Sequence, residues 1–393
     1  ISLGLVGSEM CIRDRIIWRF IHKYSLSVNY TFKVSKNAPW AYVSYLPEAC
    51  YRKGVKFLNK HQNRRESKVL VEVLHELGFN VFVGQYNDTH NDLQKLPTPR
   101  LIFGLEPNFE RACKLWPDAM KIYYATGAYY KHQNNMIRKR TDEFNLKYGA
   151  HYPYQRLVSE SDRYEKADYI FQIGSSFTKE TYPEHLREKI RIIRQSNTLG
   201  LHDGIEKDYS NKTDYLWLGS SGTILKGLDL AVEYFKAHPE FTLHVVGNVD
   251  SDFIHTMGMD QCTNIHFYGF IDTSSELFRG IARKCSFLVY PSCTEGGVPG
   301  AVINSMLYGI VPIVTRWAAF DEVENLGYLL EDMTIEAIYM AIDWSQSLSE
   351  REVAHLSQAC QHYAQENYTL AVFKDDMIKA LKEIIEANGN TIL

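Results

Sequence analysis

The chain has 393 residues, 45% of them hydrophobic and 23% charged, with a formal net charge of −4. One domain takes roughly 150–200 residues, so this length calls for two, and the balance is that of a globular protein. The weak negative charge gives no global field for nucleic acid, no apolar run reaches the roughly 18–20 residues of a membrane helix, and seven scattered Cys without a CxxC pair argue against a zinc site or disulfide framework.

Leu5–Asp14 resembles the translation of a sequencing adapter and is too interrupted for a signal peptide. Residues 1–15 are therefore expected to be an artefact, with the natural chain starting near Arg15 or Ile16. Ala41–Leu46 reads as a short apolar strand, and Pro47–Gln62 as a basic loop with Arg52, Lys53, Lys56 and Lys60. Ser67–Leu77 has helical spacing (Val69, Leu70, Val73, Leu74, Leu77), Gly78 stands at its C-cap, and Asn80–Val83 is the next strand. Strand, helix, glycine, strand is a βαβ unit, which builds a parallel sheet covered on both faces. The alternation continues with a strand at Leu101–Gly104, a helix at Phe109–Leu115 and a strand at Lys121–Ala125, which runs into Thr126-Gly127-Ala128. Tyr130–Tyr164 is polar, helical and charge-laced; Asp168–Ile173, Phe177–His185 and Ile190–Ile193 follow as strand, helix and strand. Residues 16–196 thus read as one doubly wound domain and the polar stretch 197–213 as a linker.

The second half repeats the pattern. Strands are expected at Tyr215–Leu218, Phe241–Val246, Ile265–Tyr268, Phe287–Tyr290 and Val311–Val314, and helices at Leu228–Ala237, Ser275–Arg283, Gly300–Tyr308 and from Leu348 to about Ala387. Residues 214–393 form a second five-stranded unit, whose last helix is a candidate to cross back to the first. The expected fold is α/β, with two Rossmann-like domains facing a central cleft. Open parallel sheets bind ligands beyond the carboxyl ends of their strands.

Two polar clusters sit at such ends. Gly219-Ser220-Ser221-Gly222 leads through Lys226 and Gly227 into a helix. Glycines admit a phosphate to the backbone, helix amides favour an anion, and a lysine adds a cation. A turn with a solvated lysine has the same letters, and neither a Walker loop nor GxGxxG is present. The second cluster, Pro291 to Gly300, carries Thr294, Glu295, Gly296 and Gly297. A carboxylate before a glycine-rich turn suits a sugar hydroxyl beside a phosphate, with glycines keeping amides within reach of ligand oxygens; an acidic turn residue is the plainer reading.

Together, YLWLGSSGTILKGLDLAVEYF, FTLHVVG, IHFYGFIDTSSELFRGIARKCSFLVYPSCTEGG and INSMLYGIVPIVT resemble the donor-binding half of the GT-B glycosyltransferases of family 4, also called group 1. The resemblance implies a retaining transfer from a nucleotide-sugar, used as co-substrate without a further cofactor or metal, to a glycan or glycolipid acceptor. It assigns the donor diphosphate to Lys226 and the transferred sugar to Glu295, Gly296 and Gly297. The second acid of the family's glutamate pair is absent: the usual spacing lands on Ile303, and a one-residue insertion lands on Asn304, which can hydrogen-bond a ribose as a neutral group. Ser220 and Ser221 stand where the family has an arginine. An alternative is therefore a non-catalytic relative that keeps the fold and binds a sugar nucleotide as sensor or scaffold.

On the acceptor side, Thr126, Gly127 and His132 follow a strand, and His61 precedes a helix that it would equally well cap. Glu106 and Asn108 are further acceptor-side candidates. The basic run Arg52–Lys68 is a candidate for peripheral contact with anionic lipid, in a cytoplasmic protein acting at the inner face of the membrane. Asp250-Ser-Asp252 resembles a metal-binding DxD by its letters only.

Overall fold

The structure is a computed structural model that describes residues 29–52, 54–198 and 205–388. The expectation for residues 1–15, and the part of the 197–213 linker at residues 199–204, lie outside them. The first sheet has seven strands: β1 (Asn29–Phe32), β2 (Trp40–Tyr45), β3 (Asn80–Gln85), β4 (Leu101–Gly104), β5 (Met120–Ala125), β6 (Tyr169–Ile173) and β7 (Ile190–Ile193). Their order is β1-β3-β2-β4-β5-β6-β7, all parallel except β1, which pairs antiparallel with β3. The second sheet contains β8 (Asp214–Leu218), β9 (Thr242–Val246), β10 (Ile265–Gly269), β11 (Phe287–Tyr290), β12 (Val311–Thr315) and β13 (Tyr328–Leu330), all parallel in the order β10-β9-β8-β11-β12-β13. β4, β11 and β12 are buried along their whole length. Their unbroken apolar runs follow from cover on both faces of a parallel sheet.

The edges differ from expectation. β1 was not foreseen, and β13 gives the second sheet six strands instead of five. Both are short and lie at a sheet edge, where little apolar pattern is required. The helix at Ile335–Ser347 was also unforeseen. Pro47–Gln62 is not all loop: it holds helical turns at Glu48–Tyr51 and Val55–Leu58. The next helix, α1 (Gln62–Glu76), starts five residues earlier than predicted, because His61 caps it by accepting from the Asn63 amide at 3.3 Å. The helix expected over Phe177–His185 splits into Ser176–Glu180 and Glu184–Arg187 around Pro183, which has no amide hydrogen to continue it.

Two helices cross between the halves. In α2 (Tyr130–Tyr148), Ile137 and Phe144 enter the core of the second sheet, where Phe144 stacks on Phe253 at 5.7 Å. Arg140 of α2 pairs with Asp229 of α3 (Leu228–Ala237) at 2.7 Å, with both side chains 6% exposed. In return, α4 (Leu370–Ala387) packs Phe373, Met377 and Leu381 against Val69, Val73 and Leu74 of α1. Arg194, after β7, anchors that helix through Asp376 at 2.7 Å. Each half thus contributes one helix to the other's core.

Candidate functional site

The carboxyl ends of the two sheets face each other across a cleft of about 470 Å³. The first half contributes His61, Glu66, Thr126 and Arg156; the second contributes Gly219, Ser220, Lys226, Glu295, Gly296, Gly297 and Asn304. Five of the nine donor-binding candidates chosen from sequence (Gly219, Ser220, Gly296, Gly297 and Asn304) therefore line one cavity, together with both proposed catalytic residues, Lys226 and Glu295.

Lys226 and Glu295 are 69 positions apart and form one hydrogen-bonded cluster. Lys226 Nζ lies 3.1 Å from Glu295 Oε1 and donates to Tyr290 Oη at 2.8 Å. Tyr290 Oη donates in turn to Glu295 Oε1 at 2.8 Å, and Ser292 Oγ donates to the same oxygen at 3.0 Å. Lys226 is placed by the turn after β8, where its amide bonds Gly222 O at 3.0 Å; Tyr290 ends β11 and Glu295 follows in the next loop. Burial pushes the Glu295 carboxyl up, but the Lys226 ammonium, the Arg156 guanidinium and the Tyr290 hydroxyl outweigh it and hold the acid below its usual range. Burial lowers the Lys226 ammonium, opposed by the Glu295 charge, and the two meet as an ion pair at 3.1 Å. One carboxylate oxygen takes three donors, and Glu295 Oε2 has no hydrogen bond among the described residues.

The glycines divide by function. Gly227 adopts φ +67°, and a Cβ there would lie 2.4 Å from Pro291 O, so it is required by backbone packing outside the cleft lining. Gly296 and Gly297 line the cleft, and close contact between the halves by itself requires their lack of a side chain. A Cβ on Gly296 would sit 2.5 Å from Thr126 O and 2.6 Å from Gly127 Cα; one on Gly297 would sit 2.8 Å from Gly174 Cα. Gly296 O also accepts from Thr178 Oγ1 at 2.7 Å and Gln172 Nε2 at 3.3 Å. Ser221 is exposed and, like Gly222 and Thr294, stands outside the lining; Thr294 is buried with its Oγ1 unpartnered among the described residues. Ile303 is fully buried, whereas Asn304 lines the cleft.

On the other wall, His61 both caps α1 and lines the cleft, and Thr126 lines it from the end of β5. Gly127 packs on Gly296, and His132 lies outside the lining, edge-on to Phe177 at 6.4 Å between ring centroids. Glu106 and Asn108 stand outside the cleft lining and are engaged within the first half. Glu106 accepts from Tyr123 Oη at 2.9 Å and lies 3.5 Å from the fully buried Arg163, while Asn108 Nδ2 donates to the backbone oxygens of Gln85 and Asp88. Asp250 accepts from Tyr152 Oη and from Gln155 Nε2, a tie between the halves, and no group of three metal-ligating side chains is found among the described residues. Sequence reasoning missed Glu66, Arg156 and Gln195, which reach the cleft from a helix face, a loop and a strand end with no shared motif. Glu66 is buried and accepts from the Ser196 amide at 2.8 Å; Gln195 links Gln62 Nε2, at 2.7 Å, to the Val298 carbonyl.

The fold has counterparts among known proteins. Residues 213–345 match the model of the family "Glycosyl transferases group 1". No curated protein matches the chain. Among solved structures, the chain is similar to sucrose-phosphate synthase of Thermosynechococcus elongatus, with TM-score 0.60, 14% identity, and coverage of 89% of this chain and 100% of that one. It is similar to HepE of Anabaena in complex with UDP-glucose, with TM-score 0.56, 11% identity, and coverage of 88% and 100%. A glycosyltransferase of Rickettsia africae gives TM-score 0.55 at 14% identity over 88% and 99%. At these identities the likeness is one of fold, and the fold is GT-B.

Proposed function

We propose that the protein is a retaining glycosyltransferase that moves a sugar from a nucleotide-sugar donor to a carbohydrate or glycolipid acceptor. The observation that carries this reading is the ionised Lys226–Tyr290–Glu295 cluster at the carboxyl end of the second sheet, within the segment that matches glycosyl transferases group 1. The family 4 likeness read from sequence assigns the same two residues to donor binding. HepE, solved with UDP-glucose, has the same fold.

In this reading the donor diphosphate lies against Gly219, Ser220 and Lys226, with Glu295 Oε2 free to accept from sugar hydroxyls. Asn304 takes a ribose hydroxyl, and Phe270 and Ile271 supply an apolar wall for the base. The acceptor enters beside Thr126 and His61. The C1–oxygen bond to the diphosphate breaks and the acceptor oxygen bonds C1 on the same face, while the acceptor proton passes to a departing phosphate oxygen. Positioning and fixed charge supply the catalysis. The nucleotide-sugar is the co-substrate, no further cofactor is invoked, and protein cations with helix N-termini take the part a metal would otherwise play.

The proposed setting is the cytoplasm, at the inner face of the membrane, in glycan or glycolipid assembly. Six free Cys among the described residues suit a reducing compartment, and no described helix is long and apolar enough to cross a membrane. The exposed Tyr51 and Val55 beside Lys56 and Lys60 form a surface suited to anionic headgroups. No nucleic-acid partner is proposed.

The test is incubation with UDP-, GDP-, ADP- and dTDP-sugars with chelator present, following nucleoside diphosphate release and the anomer formed by proton NMR. Release from one donor with the anomeric configuration kept is expected. An inverted product would overturn the retaining assignment, and no release from any donor, with binding intact, would favour the sensor reading.

A further inference from the structure

We propose that Arg156, presented by the first half, is a diphosphate-binding residue of the donor site and supplies the cation that the Ser220-Ser221 loop of the second half lacks. The inference rests on the nucleotide-sugar reading above.

Charge balance motivates it. Lys226 and Glu295 form an ionised pair at 3.1 Å, so together they add no net charge to the phosphate wall. Ser220 and Ser221 offer hydroxyl donors but no charge. Burial, together with the cationic Arg65 and Arg64, holds the His61 imidazole below its ordinary value, so it is neutral near pH 7. A diphosphate entering this cleft needs a cation that no carboxylate has neutralised. Arg156 lines the cleft and has no hydrogen-bond or ion-pair partner for its guanidinium among the described residues.

Its placement is built. The side chain crosses to the second half and passes over the phosphate loop: a Cβ on Gly222 would lie 3.2 Å from Arg156 Cδ. Its charge favours the Glu295 carboxylate and opposes the Lys226 ammonium. The backbone at Arg156 is left-handed, with φ +64°, a conformation that a non-glycine residue holds only when its surroundings impose it. Those surroundings are on both sides. Gln133 Nε2 of α2 donates to Arg156 O at 3.1 Å, and Asn134 of α2 brackets Val158 with bonds of 2.8 and 2.9 Å. Asn145 of α2 brackets Tyr152 with bonds of 2.7 and 3.0 Å, while Asp250 of the second half accepts from Tyr152 and Gln155. α2 itself is fixed in the second half's core by Phe144 and the Arg140–Asp229 pair. The segment that carries Arg156 is therefore registered to the donor half, although it belongs in sequence to the other. A guanidinium there can bond two phosphate oxygens at once.

The experiment is calorimetric titration with UDP, GDP, ADP and dTDP, and with the matching nucleosides, on the wild type, R156Q, R156K and K226Q. For whichever diphosphate the wild type binds, R156Q should weaken it about 10- to 150-fold, the scale of a lost bond to a charged group. Nucleoside binding should stay within about twofold, R156K should recover part of the loss, and the melting temperature without ligand should not fall. If R156Q binds the diphosphate as wild type does while K226Q does not, Arg156 is not part of the phosphate site and the donor reading stands. If the wild type binds none of the four, the donor reading fails and this inference fails with it.

Discussion

The two walls of the cleft were built by different kinds of sequence. The second wall comes from two short segments, Gly219–Gly227 and Pro291–Gly300, in which strand, turn and helix follow within a few residues and the chemistry is local. The first wall gathers His61, Glu66, Thr126, Arg156 and Gln195 from separate elements. The second wall is a motif; the first is an assembly of residues distant in sequence, beside which α2 and α4 pack across the halves. Charge follows the same division, since the motif wall neutralises its own lysine while the assembled wall holds a guanidinium, that of Arg156, unpaired among the described residues.

The largest expected effect tests the motif wall. E295Q keeps the shape but leaves the Lys226 ammonium buried without its counter-charge. Turnover, read as nucleoside diphosphate release, should fall about 100- to 1,000-fold. Stability to urea should drop by about 3–5 kcal/mol. The double variant K226Q/E295Q should recover much of that stability and none of the turnover, and recovery of both would break the assignment of this pair to donor chemistry.

Next comes the contact that joins the walls. G296A would put a Cβ against Thr126 O and Gly127 Cα, both backbone and unable to rotate away. It should cost about 1–3 kcal/mol and reduce turnover more than tenfold. A wild-type rate would show that the halves need not meet at this point during the reaction.

A smaller effect concerns the first half, behind the cleft wall. Burial lowers the His132 imidazole from its ordinary value, and Nε2 has no partner among the described residues. Its folded pKa therefore lies below the unfolded value of about 6.5. Between the two the unfolded chain binds more protons, so stability is full above about pH 6.5 and declines as the pH falls through that window, by less than about 1.4 kcal/mol per pH unit for this group. Urea unfolding at several pH values should show a flatter acid limb for H132F. His61, lowered in the same direction, keeps part of the slope.

The smallest effect is a contrast to G296A. Gly280 lies in the Glu276–Lys284 helix, and a Cβ there meets nothing within 4 Å. G280A should raise stability by about 0.5–1 kcal/mol and leave turnover alone.

What could be read in advance follows the same physics. Buried parallel strands announce themselves as unbroken apolar runs, so β2, β4, β5, β11 and β12 were legible. β1 and β13 were not, being short edge strands. The crossing of α2 was hidden because its apolar stripe toward the second core is thin, Ile137 and Phe144 among Arg138, Lys139, Asp142 and Glu143. Lys226 and Glu295 were legible as candidates because each follows a strand; Tyr290 and Ser292, which complete their cluster, look like ordinary strand-end residues. Gly296 was legible as a special position, but whether a glycine makes room for a ligand or for another backbone is decided by tertiary packing. Arg156 carried no signal: its importance lies in a tethered left-handed loop that only the folded chain displays.

The most direct measurement is a thermal-shift screen of UDP-, GDP-, ADP- and dTDP-sugars on wild type and K226A, without added metal. A ligand that binds the native state alone must raise its melting temperature. The account predicts a rise with one donor class in the wild type that K226A loses. A rise of equal size in K226A would place the nucleotide-sugar elsewhere and contradict the assignment of the donor site to the Lys226–Glu295 cluster.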